Sequence, residues 1–505
     1  MNRLRSKASK PREDPSETAT FQVIVLGPTG GPREDNVTGI LVRATSTKWS
    51  SNSVVAVDAG TLLAGIVRLL EDHMPKCQTE GDIVTSGPLQ GLELPYETPE
   101  ANAAHVFREL IGAVLITHPH LDHVSGLVIN TPILEAGNEP KPVAALPSVL
   151  TALKNHIFND IIWPNLSDED GGAGLLTYQR LVEGGNPRFG RGDSRGYVRA
   201  CSGLSTKCLK LSHGRCKQRY HAESGTHHRI GSMVFADHQF VPSRSLSVDH
   251  REAAFYSPSQ SSRSMATSIK DSPMATVESS AFFLRDHRSG SEIIVFGDLE
   301  PDSVSGETHN RRVWEAAAPK IASGSLQAIF IECSYNDSTD DAYLYGHMCP
   351  RHLVAELTVL ASKVMEVRGL CQDKRKRKRV SSASGGFASA QVSPRSRRWQ
   401  SSSTDQGRRS DSSIEPRSHP NDGFEVPRIP GDEFEDLDPP DPETWASASP
   451  LPLTGLQVHI IHIKEALTDG PHPREQILRE LQAHSEAAHL GCEFFAPTPG
   501  KDVYI

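Results

Sequence analysis

The densest chemistry in this sequence is Thr117-His118-Pro119-His120-Leu121-Asp122-His123, which puts four metal-ligating side chains within six residues. Imidazole nitrogens and a carboxylate together suit zinc, and suit manganese or iron less well. His118 and His120 are two residues apart, so they can project the same way from the end of an extended segment. Asp122 and His123 then turn away as the chain enters a helix, and are free to serve a second ion. A chance cluster is a poor alternative, although the chain has 22 histidines. This cluster follows a run that reads as a buried strand, and a glycine, Gly126, stands three residues after it.

Elements that could position such a site are mostly strands. Phe21–Leu26 is a short apolar run ended by a loop rich in Gly and Pro, as a strand ended by a turn would be. Ile40–Arg43, Val54–Val57, Gly112–Thr117, Glu292–Phe296, Ala328–Ile331 and Leu456–Ile463 read as further strands. Helical spacing is visible at Thr61–Leu70, Ala103–Ile111, His352–Val364 and Pro473–Ala487. Almost every strand runs into Asp, His or Glu, and a rigid sheet with polar groups at its strand ends is how α/β scaffolds build a site.

His-x-His-x-Asp-His after a strand is the signature of the metallo-β-lactamase superfamily. The longer HPHLDHVSGLVINTP resembles the motif of class II cyclic-nucleotide phosphodiesterases, with Thr131 where that family usually has Ser. FQVIVLGPTGG, HIFNDIIWPNLSD, LSHG, FGDLEPD, IECSYND and HIIHIKE agree with it. The likeness runs from about Phe21 to Val364 and resumes at Leu451. It implies an α/β fold, an αββα sandwich of metallo-β-lactamase type, with one catalytic domain interrupted by long disordered insertions. It also implies two Zn²⁺ per chain. His118, His120 and His213 would hold the first, Asp122, His123 and His462 the second, and Asp298 would bridge them.

Some positions have competitors. His459 lies three residues before His462, on the opposite strand face. His221, His227 and His228 compete with His213, and Asp302 with Asp298. Cys201, Cys208 and Cys216 lie near His213, but their spacing is not that of a zinc knuckle, and they read as ordinary reduced thiols. Glu332, at a strand end, and His347, fifteen residues later, resemble the Glu…His pair of phosphodiesterases of this superfamily. His347 would donate a proton to the leaving oxygen, with Glu332 orienting its ring, and Asp122 counts with them as catalytic. The alternative role for His347 is to cap the helix beginning near Pro350. The GPTGGP loop lacks both nucleotide-binding fingerprints, and is expected to shape one wall of the site.

The implied reaction is hydrolysis of a 3′,5′-cyclic nucleotide, cyclic AMP or else cyclic GMP, to the 5′-monophosphate. Two other readings are a tRNA 3′-processing endonuclease or other zinc hydrolase of the same fold, and a non-catalytic zinc-binding scaffold.

Composition sets the outer limits. The 505 residues carry 53 Lys+Arg against 62 Asp+Glu, for a net charge of −9 and a pI of about 6.2. That balance argues against a protein that coats nucleic acid or sits on an anionic membrane. No apolar stretch is long enough to span a bilayer, and Met1–Thr18 has no apolar core of the kind a signal peptide needs. Eight cysteines in this length form no dense disulfide framework, so a reduced, cytoplasmic setting is expected.

Only 37% of the residues are hydrophobic. This is below the roughly 45–50% of globular domains, a norm that also counts Gly. The dilution is concentrated in 372–449, a Ser-, Pro- and charge-rich stretch with few residues able to form a core. It is expected to be a disordered insertion. A basic run, Lys374–Arg379, opens it and would serve either as a nuclear signal or as a solvated patch. The expected domain plan is therefore a disordered tail over 1–20, a catalytic domain over 21–371 with loopy insertions within 167–276, the insertion 372–449, and completion of the domain by 450–505. The oligomeric state stays open, a homodimer included.

Overall fold

The computed structural model describes residues 18–74, 81–135, 137–216, 218–229, 275–383 and 450–505, with the backbone alone for 370–383. The expected N-terminal tail up to residue 17, the part 230–274 of the loopy zone and most of the insertion, 384–449, lie outside these residues. The helix Pro350–Ala383 carries its backbone through the basic run Lys374–Arg379.

Fourteen strands form two seven-stranded sheets. The first contains β1 (Phe21–Gly27), β2 (Gly39–Ala44), β3 (Val54–Ala59), β4 (Ile111–Leu115), β5 (Lys141–Ala145) and β6 (Leu176–Arg180). The second contains β7 (Val198–Cys201), β8 (Leu204–Cys216), β9 (Ala275–Asp286), β10 (Glu292–Phe296), β11 (Leu326–Glu332), β12 (Gln457–Ile461) and β13 (Glu493–Phe495). The last strand, β14 (Lys501–Tyr504), returns to the first sheet and pairs antiparallel with β1. The spatial orders are β14-β1-β2-β3-β4-β5-β6 and β13-β12-β11-β10-β9-β8-β7. In each sheet one half is antiparallel and the other parallel. Pairing becomes parallel from β3 to β6 and from β10 to β13.

The central strands are apolar on both faces because both faces are covered. Along β9, Phe282 and Leu284 point into the core that also holds β1–β4, whereas Ala281 and Phe283 join a second core with Val313, Trp314 and Leu357. The same alternation separates Ile293 and Val295 from Ile294 and Phe296 on β10. The helices His309–Ser323, Pro350–Ala383 and Pro473–Ala487 cover the outside of the second sheet, and Leu63–His73 and Leu121–Asn130 pack against the first. The result is the αββα sandwich of the metallo-β-lactamase fold. Among the described residues no helix is long and apolar enough to cross a membrane.

Candidate metal centre

The strand β4 ends at Leu115, and the extended residues after it carry His118 and His120 to the start of the helix Leu121–Asn130. That helix holds Asp122 and His123 in its first turn. From the second sheet come His213 on β8, Asp298 just after β10 and His462 just after β12. All seven converge: the ligand atoms of His118, His120 and His213 form one group, and those of Asp122, His123, Asp298 and His462 another, each within 4.8 Å.

Asp298 is the hub. Its Oδ2 lies 3.6 Å from His118 Nε2, 3.3 Å from His123 Nε2, 3.7 Å from His213 Nε2 and 3.0 Å from His462 Nε2. Asp122 Oδ2 is 3.6 Å from His462 Nε2 and 3.9 Å from His123 Nε2. His213 Nε2 faces His120 Nδ1 at 3.2 Å. Ligands held about 2.0–2.1 Å from one tetrahedral ion are about 3.3 Å apart, a separation that these spacings bracket.

Partners behind the rings fix which nitrogen faces inward. His123 Nδ1–H donates to Asp58 Oδ2 at 2.7 Å. The Thr117 hydroxyl donates to the same carboxylate oxygen at 2.8 Å, so it accepts from His118 Nδ1 at 3.1 Å. His213 Nδ1–H donates to the Gly346 carbonyl at 2.9 Å. The Thr38 hydroxyl donates to the Thr29 carbonyl and accepts from His462 Nδ1 at 2.8 Å. Four imidazoles thus turn Nε2 lone pairs towards the centre, and His120 turns its Nδ1. His118 Nε2 and His123 Nε2 are buried without a hydrogen-bond partner. Buried polar atoms are seldom left so, and here they converge with carboxylates on one point, as a metal site requires.

Charge agrees. Burial pushes His118 well below its ordinary range and takes His213 down to about 4, leaving neutral rings. Burial would protonate Asp298, but the surrounding His462, His123 and His118 hold its carboxyl well below the usual range. Burial also opposes charge on His123. There Asp298 and Asp58 outweigh it and raise the group well above its ordinary value, so the two carboxylates attract positive charge, which a metal ion at Nε2 would supply in place of the proton. Neutral imidazoles and ionised carboxylates are the forms that bind cations.

Glu332 and His347 adjoin the centre. His347 Nδ1 lies 3.0 Å from Glu332 Oε2 and 3.7 Å from Asp298 Oδ2. Glu332 is only 1% exposed and accepts the Leu299 N–H at 2.6 Å and the Ser334 hydroxyl. Burial and the neighbouring Asp298 raise it to about 7, while burial takes His347 down to about 4.

One local expectation needs correction. His462 lies beyond the end of β12 rather than within it, in the left-handed region at φ 59°. The loop after β1 imposes this: Pro28 O accepts His462 N–H, Gly31 O accepts Glu465 N–H, and Ile463 O accepts Gly30 N–H. His213 sits inside a thirteen-residue strand at a β-bulge, with Gly214 at φ 62°.

The competing residues are engaged elsewhere. His459 stacks between Phe330 and Phe495 at ring distances of 4.5 and 5.2 Å. Asp302 accepts the Asn310 and Arg311 N–H groups at the start of the helix His309–Ser323. His221, His227 and His228 lie in a hairpin of Gln218–His221 and Thr226–Arg229. Cys201, Cys208 and Cys216 are free thiols. His347 is turned to Glu332, not to the helix at Pro350.

Sequence reasoning missed Asp58, Thr117, Thr38 and Lys464. The signal for Asp58 was an ionisable residue closing the apolar run VVAV, the same signal that marks Asp298 after EIIVF. Lys464 donates to the Gly30 carbonyl at 2.7 Å, with its ammonium 3.1 Å from His462 Nε2.

Comparison with known proteins bears on the same residues. The model of the family described as cAMP phosphodiesterases class-II matches residues 19–372. A 3′,5′-cyclic-nucleotide phosphodiesterase of Schizosaccharomyces pombe is 28% identical over 345 residues, covering 68% of this chain and 76% of that one. A probable 3′,5′-cyclic-nucleotide phosphodiesterase of Yersinia pestis is 27% identical, covering 68% and 73%. The crystal structure of unliganded yeast PDE1 superposes with a TM-score of 0.58 at 20% identity, covering 97% of this chain and all of that one.

Proposed function

The chain belongs to the class-II cAMP phosphodiesterase family, and we propose on that premise that it hydrolyses 3′,5′-cyclic nucleotides to 5′-monophosphates. Cyclic AMP is the expected substrate, with cyclic GMP as the alternative, and the expected consequence is to end a cyclic-nucleotide signal. The observation that carries this reading is the convergence of His118, His123, His213 and His462 on Asp298 Oδ2, with His120 and Asp122 beside them and ring tautomers set from behind.

We propose two Zn²⁺ as the cofactor: His118, His120 and His213 would hold the first and Asp122, His123 and His462 the second, with Asp298 available to both. Such ions supply a water acidified towards neutrality and neutralise charge on phosphoryl oxygens. In the overall hydrolysis a water oxygen bonds to phosphorus, the P–O3′ bond breaks and the 3′ oxygen leaves as a hydroxyl. His347 is the candidate acid for that hydroxyl. Its Nδ1 is engaged with Glu332, so Nε2 is the nitrogen left to present a proton. Glu332, itself held by Leu299 N–H and Ser334, keeps the ring from rotating. Lys464 adds a fixed positive charge beside the second site, where an anionic phosphodiester would be drawn.

The family match gives no support to the endonuclease or scaffold readings. Metal analysis of the purified protein, run beside turnover of cyclic AMP, cyclic GMP and a precursor tRNA, tests all three. Cyclic-nucleotide turnover at two zinc ions per chain is the expected result. Zinc-loaded protein that cleaves only the tRNA, or nothing, would overturn the proposal.

A further inference from the structure

A cleft of about 650 Å³ opens directly beside His120, the most exposed of the proposed ligands. The helix Pro147–His156 forms one wall and the hairpin of Gln218–His221 and Thr226–Arg229 another. Its volume falls within the range of small-molecule sites.

Along one side of the cleft the polar groups satisfy one another. Lys210 and Glu278 form an ion pair at 2.5 Å, and Glu278 also accepts the Ser148 hydroxyl. On the hairpin side the rings gather and one polar atom is left over. The rings of Tyr220 and His227 lie 5.3 Å apart, and His156 is 5.8 Å from His227. His227 Nδ1 is buried with no hydrogen-bond partner. Burial, reinforced by His156, lowers the His227 pKa, so near neutral pH its ring offers one donor and one acceptor.

We propose that this cleft is the nucleoside pocket, taking a purine whose face packs on the Tyr220 ring and whose edge meets Nδ1 of His227, whose ring is tilted 49° from that of Tyr220. A flat heteroaromatic base matches both features: it has a π-face for Tyr220 and ring nitrogens for the unpartnered imidazole atom. A phosphodiester at the metal centre places the attached nucleoside beside His120, at the mouth of the cleft. This assignment rests on the phosphodiesterase reading for its choice of ligand.

The test is calorimetric binding to the zinc-loaded full chain, comparing adenosine 5′-monophosphate with ribose 5-phosphate, which lacks the base. Wild type should prefer the nucleotide by about 10-fold or more, the scale of one base stacked on an aromatic ring. Tyr220→Ala should reduce the preference towards unity, Tyr220→Phe should keep it, and His227→Leu should weaken it. Ala152→Trp, which fills the cleft from the helix and leaves the hairpin untouched, should abolish it. Equal binding of the two ligands by wild type, or an undiminished preference in both Tyr220→Ala and Ala152→Trp, would overturn the pocket. A wild type that shows the preference but hydrolyses no cyclic nucleotide would overturn the proposed function and support the pocket.

Discussion

Asp58 accepts a 2.7 Å hydrogen bond from His123 although the two residues are 65 positions apart. The same carboxylate takes the Thr117 hydroxyl, which in turn orients His118. One buried side chain at the end of β3 therefore sets the rings of two proposed ligands, one for each metal position. It adopts φ 54° to do so, a conformation that Asp and Asn tolerate better than other non-glycine residues.

Asp58→Asn should keep the backbone conformation and the fold but remove the charge behind both rings. Partners of this kind are typically worth about 10- to 100-fold in metal affinity. Zinc retained after dialysis against graded chelator should fall by that order, and added zinc should restore part of the activity. Unchanged retention would show that Asp58 is only a structural residue.

Gly30 has no room for a side chain. A Cβ there would lie 2.5 Å from His462 Nε2 and 2.7 Å from Lys464 Nζ. Gly30→Ala should displace His462 and cost about 100-fold or more in turnover, the scale of a small misplacement of a reacting group. Thermal unfolding should change little, since the residue lies in a loop outside both cores. Wild-type turnover in this variant would remove the loop from the site.

His347→Asn should lower kcat by about 10²- to 10⁴-fold, the usual contribution of a general acid, with zinc content at the wild-type level. Glu332→Gln should act in the same direction, because it removes the carboxyl group that orients the ring. Loss of zinc together with activity in His347→Asn would instead make His347 a metal ligand, a role its place in a group with His213, Asp298 and Glu332 permits.

His459 gives the chain a measurable acid sensitivity. It is 3% exposed, and burial pushes its pKa down to about 4, against about 6.5 when unfolded. The unfolded chain therefore binds the proton more readily. The contribution of neutral His459 is complete above pH 6.5 and is lost progressively as pH falls towards 4, by about 3 kcal/mol. His459→Phe, which preserves the stack with Phe330 and Phe495, should flatten the fall in stability between pH 6.5 and 4 and leave zinc content unchanged. The same fall in variant and wild type would show that other groups dominate.

Much of the site was legible in the sequence because its first half is local. His118, His120, Asp122 and His123 occupy six consecutive positions after an apolar run, and the strand-to-helix junction they imply is the one observed. The apolar strands β1, β3, β10 and β11 were legible for the same reason, being near-continuous runs buried on both faces. The edges of the sheets were not. Strands such as β6 (LTYQR) and β14 (KDVY) carry little apolar pattern and form because a neighbouring strand offers its backbone groups.

Residue type and spacing alone point to the kind of chemistry, an imidazole and carboxylate centre on an α/β scaffold, since these are properties of adjacent residues. Packing is what separates His459 from His462 as a proposed ligand. The two are three residues apart on one segment, and the difference is that β12 ends at Ile461. The loop after β1 then turns His462 inward, while His459 stays within the sheet between two phenylalanines. The tertiary structure likewise brought in Asp58, Thr38 and Lys464, whose partners lie 65, 424 and 434 residues away. A ring nitrogen is oriented by whatever packs behind it, and in this fold those groups come from distant strands and loops.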